Sequence, residues 1–182
     1  MYAQNRSGII GYRYPVVLPF ISYLIMNSEL QNEMLTVCDV KISYQPQIKA
    51  SKRPVLKSSL EIYRMLIDNN VFPAETIEYK EYFKVILFNS AFRVLGVSTV
   101  SEGSTSQVSV DVKHIMQAAI LSNATGLALV HNHPSGNCKP SYQDDSLTKK
   151  IQEACKLMDI MLLEHIIISS ENYYSYADEG KI

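Results

Sequence analysis

His131 and His133 stand two residues apart, directly after the apolar run Leu127-Ala128-Leu129-Val130. If that run is a strand, alternation sends both imidazoles to one face at its carboxyl end. Two neutral imidazoles on one face begin a metal site, since ring nitrogens are donors that zinc favours. A third donor is spaced to join them. After a loop bounded by Pro134 and Pro140, Ser141 has the character of a helix N-cap and Asp144 falls in the first helical turn, which returns a carboxylate to the same edge. Two histidines and one carboxylate leave a tetrahedral ion with a fourth position for water, the arrangement of a catalytic zinc rather than a structural one. Each part alone has a plainer reading: Ser141 and Asp144 spell a capping box, and a histidine pair ending a strand can simply be hydrogen-bonded. The conjunction favours the metal, so His131, His133 and Asp144 are expected to hold one Zn2+ per chain.

The elements that must position these groups follow from the rest of the chain. Residues 1–25 contain an apolar stretch interrupted by Pro15 and Pro19, too short for a spanning helix and without a signal-peptide cleavage pattern. They are expected to be an extension without fixed structure, with translation starting at Met26. Residues 26–57 read as a short segment, with a weak strand at 37–44, followed by a linker at 45–54 that carries Lys49, Lys52 and Arg53. The domain proper is expected over 58–182. Ser58-Ser59-Leu60-Glu61 opens a helix with Leu60, Tyr63, Leu66 and Ile67 on its apolar stripe. Residues 81–88 and 93–100 read as a hairpin in the middle of a sheet, and 107–110 as a short strand.

Asp111 caps a helix at 112–122 that turns Ile115, Ala118, Ala119 and Ser122 to one side, with His114 exposed and Gly126 as its left-handed stop. A helix at 142–158 follows the metal loop, with Leu147, Ile151, Ala154, Cys155 and Met158 at helical spacing. Residues 161–163 and 166–168 have buried-strand composition, with Glu164-His165 between them, and 173–176 is an edge strand. His165 reads as a hydrogen-bonded core histidine or as a partner that orients a metal ligand. The sum is a single α/β (mixed α+β) domain, a mixed sheet flanked by helices.

A hydrophobic share of 47% supports a substantial core in a chain of 182 residues. With 17 basic and 18 acidic residues the net charge is −1, which gives no basic footprint for nucleic acid. Cys38, Cys138 and Cys155 are odd in number and lack C-x-x-C spacing, so a reducing cytoplasm fits better than a disulfide framework. Cys138 lies in the metal loop, but the donor set is complete without it.

The segment H-N-H-P-S-G followed by K-P-S-Y-Q-D-D resembles the JAMM signature of the JAB/MPN metalloprotease superfamily, and within it the RadC family. The likeness runs from about residue 58 to 182 and includes Tyr173-Tyr174-Ser175-Tyr176 and Gly180. Full-length relatives carry a helix-hairpin-helix region whose glycine-turn pattern is not found here, so the chain resembles a family member reduced to its catalytic part. The resemblance implies a JAB/MPN fold and cleavage of peptide or isopeptide bonds in a peptide or protein substrate. It implies a glutamate base at the start of an early strand, which maps onto Glu81; Glu75, Glu78 and Glu102 are the rivals. Ser141 would then donate to the oxyanion of the tetrahedral intermediate. A metal-bound interaction module without catalysis, and a DNA-repair-associated role, are the alternatives.

Overall fold

Alternation decides how this chain folds around its sheet. In the computed structural model, which describes residues 45–103 and 110–182, β1 (Tyr82–Phe88) is buried along its whole length. Such a strand needs cover on both faces, and its side chains divide accordingly. Tyr82, Ile86 and Phe88 join one core cluster, and Phe83, Val85 and Leu87 the other. The first cluster is closed by helix α1 (Ser59–Asp68) through Ile62 and Leu66. The second is closed by α2 (Val112–Leu121) and α3 (Tyr142–Leu157) through Ile115, Ala119, Ile151 and Cys155. Among the described residues the remaining strands of this sheet are β2 (Val94–Glu102), β3 (Gly126–Asn132), β4 (Met161–Ile168) and β5 (Tyr173–Ser175), in the order β2-β1-β3-β4-β5. Only the β3–β4 pair is parallel; the others are antiparallel. The described residues thus form a mixed α/β domain.

Several local expectations need correction. The hairpin is not central: β2 is an end strand and β3 occupies the middle. In α1 the buried stripe is Ser59, Ile62 and Leu66, whereas Leu60 and Ile67 are about two-fifths exposed (40% and 38%). Spacing of three and then four residues keeps the first set on one line facing the sheet. In α3 the inward residues are Thr148, Ile151 and Cys155, and Met158 is exposed because it caps the helix. Residues 161–168 form one strand, and a register shift opposite Leu127 and Ala128 lets Leu163 stand as an extra residue. Glu164 and His165 are therefore inside the sheet.

Gly126 does not end a helix. Asn123 takes the left-handed conformation (φ 52°), as Asn70 and Asp159 do after α1 and α3. Gly126 is instead the first residue of β3, where a Cβ would come within 2.8 Å of Leu163 Cδ1. The expected linker is also more attached than its composition suggests: Val94 N–H donates to Pro54 O, Leu56 N–H donates to Phe92 O, and Leu56 is in the core. The expectations for residues 1–25, Met26, the strand at 37–44 and most of the strand at 107–110 lie outside the described residues.

Candidate metal centre

β3 ends where the chemistry begins. It carries Leu127, Leu129 and His131 on the face covered by α2 and α3, and Ala128 and Val130 on the other. His131 is buried under Phe83, whose ring stacks on it at 5.5 Å and 14°. The chain then turns through Pro134-Ser135-Gly136, with Gly136 at φ 79° and its N–H donating to His133 O. His133 Nδ1 lies 2.8 Å from Asn137 O. A carbonyl only accepts, so Nδ1 carries the proton and Nε2 presents its lone pair inward.

Asp144 arrives from α3. Ser141 is the N-cap, with its N–H and hydroxyl donating to Asp144 Oδ2 (2.7 and 2.6 Å) while Asp144 N–H donates back to Ser141 Oγ. The capping box and the candidate site are therefore one device, because the bonds that start the helix also hold the carboxylate at the β3 edge. His131 Nε2 is 3.1 Å from His133 Nε2 and 3.1 Å from Asp144 Oδ1, and His133 Nε2 is 3.6 Å from Asp144 Oδ2. One ligand atom from each residue falls within a 4.8 Å group, and among the described residues this is the one cluster of its kind. Donors about 2.1 Å from a tetrahedral zinc lie about 3.4 Å from one another, so the residues fit such an ion with little adjustment. Burial would raise the Asp144 carboxyl, but the nearby His131 and His133 rings and the Ser141 hydroxyl together hold it well below the usual carboxylate range. The neighbouring Asp144 carboxylate raises His133, because it favours a ring that takes up a second proton, against the opposing effect of its burial.

Glu81 stands immediately before β1. Continuing the β1–β3 register from Phe83↔His131 sets it opposite His133, on the face of the two imidazoles. Its carboxyl is raised by burial, while His131 and His133 pull it back down. The rivals lie elsewhere: Glu75 and Glu78 are exposed, and Glu102 is paired with Lys80 at 2.7 Å. His114 is exposed on α2. Ser141 reaches the site with its hydroxyl proton directed to Asp144, so donation to an oxyanion requires that proton to turn away. Cys138 has its thiol 3.5 Å from Asn172 O rather than in the cluster.

Two contributors escaped the sequence reading. Asn132, between the histidines, points to the opposite face; its side chain accepts from Tyr82 N–H and donates to Ile77 O and Lys80 O (2.8, 2.7 and 2.9 Å). It thus ties the segment that ends in Glu81 to the strand that leads to His131 and His133. Thr148 lies one helical turn after Asp144, with Oγ1 at 2.6 Å from both Asp144 O and His165 Nδ1. His165 Nε2 is in turn 3.0 Å from His131 Nδ1. Their signals were alternation for Asn132 and the four-residue spacing from Asp144 for Thr148.

A mixed sheet covered on both faces, with two imidazoles at the end of a middle strand and a carboxylate in the next helical turn, defines a JAB/MPN-type domain. Residues 56–181 match the family described as RadC-like JAB domain, and the chain belongs to that family. It is 40% identical over 100 residues to UPF0758 proteins of Flavobacterium johnsoniae and of Streptococcus sanguinis, an overlap of 55% of this chain and 44% of each relative. With the UPF0758 protein of Streptococcus gordonii it shares 34% identity over 157 residues, 84% of this chain and 69% of the relative. The matched region thus spans less than half the length of the first two. Among the described residues no helix is long and apolar enough to cross a membrane.

Proposed function

We propose that this domain is a zinc-dependent hydrolase of peptide or isopeptide bonds. The observation that carries the reading is the convergence of His131, His133 and Asp144 within 4.8 Å. The segment ending in Glu81 is fastened beside them by Asn132. Zinc, when bound, supplies Lewis acidity and makes a water nucleophilic near neutral pH.

The chain's own residues do the rest. Glu81 takes the proton of the attacking water and returns it to the departing amine, a role that contributes about 10²- to 10⁴-fold. Ser141 has one hydroxyl proton, which it gives to Asp144 at rest and to the oxyanion only by rotating. Phe83, stacked on His131, shields the imidazole from solvent. A reducing, cytoplasmic setting belongs to the proposal and is supported by Cys138 and Cys155, which are free thiols, the latter pushed up to about 11 by burial.

The test is metal analysis of the purified protein beside a peptide-library cleavage assay, run with Glu81→Gln. One zinc per chain, cleavage by the wild type, and zinc without cleavage in the variant are expected. Undiminished cleavage by Glu81→Gln removes Glu81 from the base role. Stoichiometric zinc with no cleavage across the panel favours a metal-bound interaction module instead.

A further inference from the structure

Hydrogen bonds around His165 can be assigned one proton at a time. Thr148 Oγ1 has a single proton and two neighbours at 2.6 Å, the carbonyl oxygen of Asp144 and Nδ1 of His165. A carbonyl cannot donate. If the hydroxyl pointed at His165, two acceptor oxygens would face each other at 2.6 Å with no hydrogen between them. The proton therefore goes to Asp144 O, the usual back-bond of a helical threonine, and Oγ1 must accept from His165. His165 Nδ1 is then protonated. Its ring has no exposed surface, a setting that favours the neutral form, so Nε2 is bare and must accept. The atom 3.0 Å away is His131 Nδ1, which consequently carries a hydrogen. His131 Nε2 is left bare, its lone pair turned into the cluster where His133 Nε2 and Asp144 Oδ1 each lie 3.1 Å away.

We propose that Thr148 and His165 are positioning residues that order protons so that His131 presents Nε2 as a metal donor, and that zinc affinity depends on this order. The inference rests on the metal reading above. The chain of bonds starts at the backbone of one ligand, Asp144, and ends at the ring of another, His131, so α3 sets both the placement of the carboxylate and the tautomer of the imidazole. In the opposite order, every donor reversed, His131 Nε2 would carry a hydrogen into the cluster and would have to lose it before binding. His133 needs no such device, because Asn137 O fixes its tautomer directly.

The experiment measures zinc affinity of the full chain by competition with a chromophoric chelator, and histidine tautomers of the metal-free protein by long-range ¹H–¹⁵N correlation. The wild type is expected to show Nδ1–H at both His131 and His165. Thr148→Val, close in shape but without the hydroxyl, is expected to bind zinc about 10- to 100-fold more weakly, the range typical for groups that orient ligands. Thr148→Ser is expected to restore affinity to within roughly threefold, by the same argument. A merely structural role would leave a folded Thr148→Val with wild-type affinity, and that result overturns the proposal. So does an Nε2–H tautomer at His131 in the wild type, which can be read even if the valine variant fails to fold. A wild type that takes up no zinc refutes the metal reading itself, an outcome the affinity measurement separates from failure of the relay.

Discussion

Glu164 and His165 are neighbours in β4 and both are buried, yet they face opposite sides of the sheet and close their hydrogen bonds in opposite ways. Glu164 lines a cavity beneath α1 with Ser59, Ile62 and Asp178. Its Oε1 accepts from the N–H groups of His165 and Ala177, and its Oε2 accepts from the Ser175 hydroxyl. Every partner belongs to the chain, and the bonds pin β4 to β5 and to the turn that follows. His165 sits on the other face, stacked on Tyr176 at 4.7 Å, and its bonds lead outward through His131 to the cluster with His133 and Asp144. A buried polar group is tolerated when its partners are supplied. On the metal reading proposed above, the difference between these two faces is whether the last partner comes from the fold or from an added ion.

This contrast is broken most directly by exchanging losses. Glu164→Ala leaves the N–H of Ala177, the N–H of His165 and the hydroxyl of Ser175 buried without an acceptor, at about 1–3 kcal/mol for each unsatisfied group. Urea denaturation is expected to show a destabilisation of about 3 kcal/mol or more, while the folded fraction still takes up one zinc. Asp144→Asn is expected to do the reverse. Its amide oxygen can still accept from Ser141 N–H, so metal-free stability changes by about 1 kcal/mol, but stoichiometric zinc is lost in metal analysis. If Glu164→Ala loses zinc in its folded fraction, or Asp144→Asn keeps it, the two faces are not functionally distinct.

Asn132 tests the boundary between them, because it sits between His131 and His133 yet its bonds close on the chain. Asn132→Ala frees Tyr82 N–H, Ile77 O and Lys80 O in a buried site. A loss of about 2 kcal/mol is expected, smaller than for Glu164 because Ile77 O and Lys80 O lie in a loop that can turn them to water. Zinc uptake is expected to persist in the folded variant, while any hydrolysis falls because Glu81 is no longer fixed. Loss of zinc with full retention of stability reverses this assignment.

The cluster of His131, His133 and Asp144 was legible because its donors are close in sequence and the intervening loop is short, so local geometry alone brings them together. Glu81 was legible only by resemblance, since its approach depends on pairing β1 with β3, a contact across some fifty residues. The relay through Thr148 and His165 was half legible. A histidine in an apolar run signals a buried partner, but whether that partner is a ligand depends on the register of β4 against β3, and an extra residue at Leu163 shifts that register. The same shift hid the unity of β4, whose polar pair interrupted an otherwise apolar pattern. Gly126 was misread because a glycine after a helix has two uses, a left-handed turn and a close approach. Asn123 had already taken the first.

The smallest expected effect concerns the pH dependence of the closed face. Burial raises the Glu164 carboxyl, although bonds from Ser175, Ala177 and His165 pull it back toward its ordinary value. A group whose folded pKa lies above its unfolded value, about 4.3 for glutamate, binds more protons folded than unfolded within that window. Its contribution to stability is therefore complete below the unfolded value and is lost as pH rises through the folded one. Glu164→Gln removes this drift without removing the bonds: the amide oxygen can accept from His165 and Ala177, and the amide nitrogen can donate to Ser175 Oγ, as a protonated carboxyl would. At acid pH the variant is expected to match the wild type within about 1 kcal/mol, and to gain on it as the pH is raised to neutrality. Paired urea titrations of the metal-free proteins measure the difference, in which Asp144 and His133 cancel because both chains carry them. A variant that instead falls further behind as pH rises would mean that ionised Glu164 is favoured by its three donors, and the closed face would then be held by charge rather than merely accommodating it.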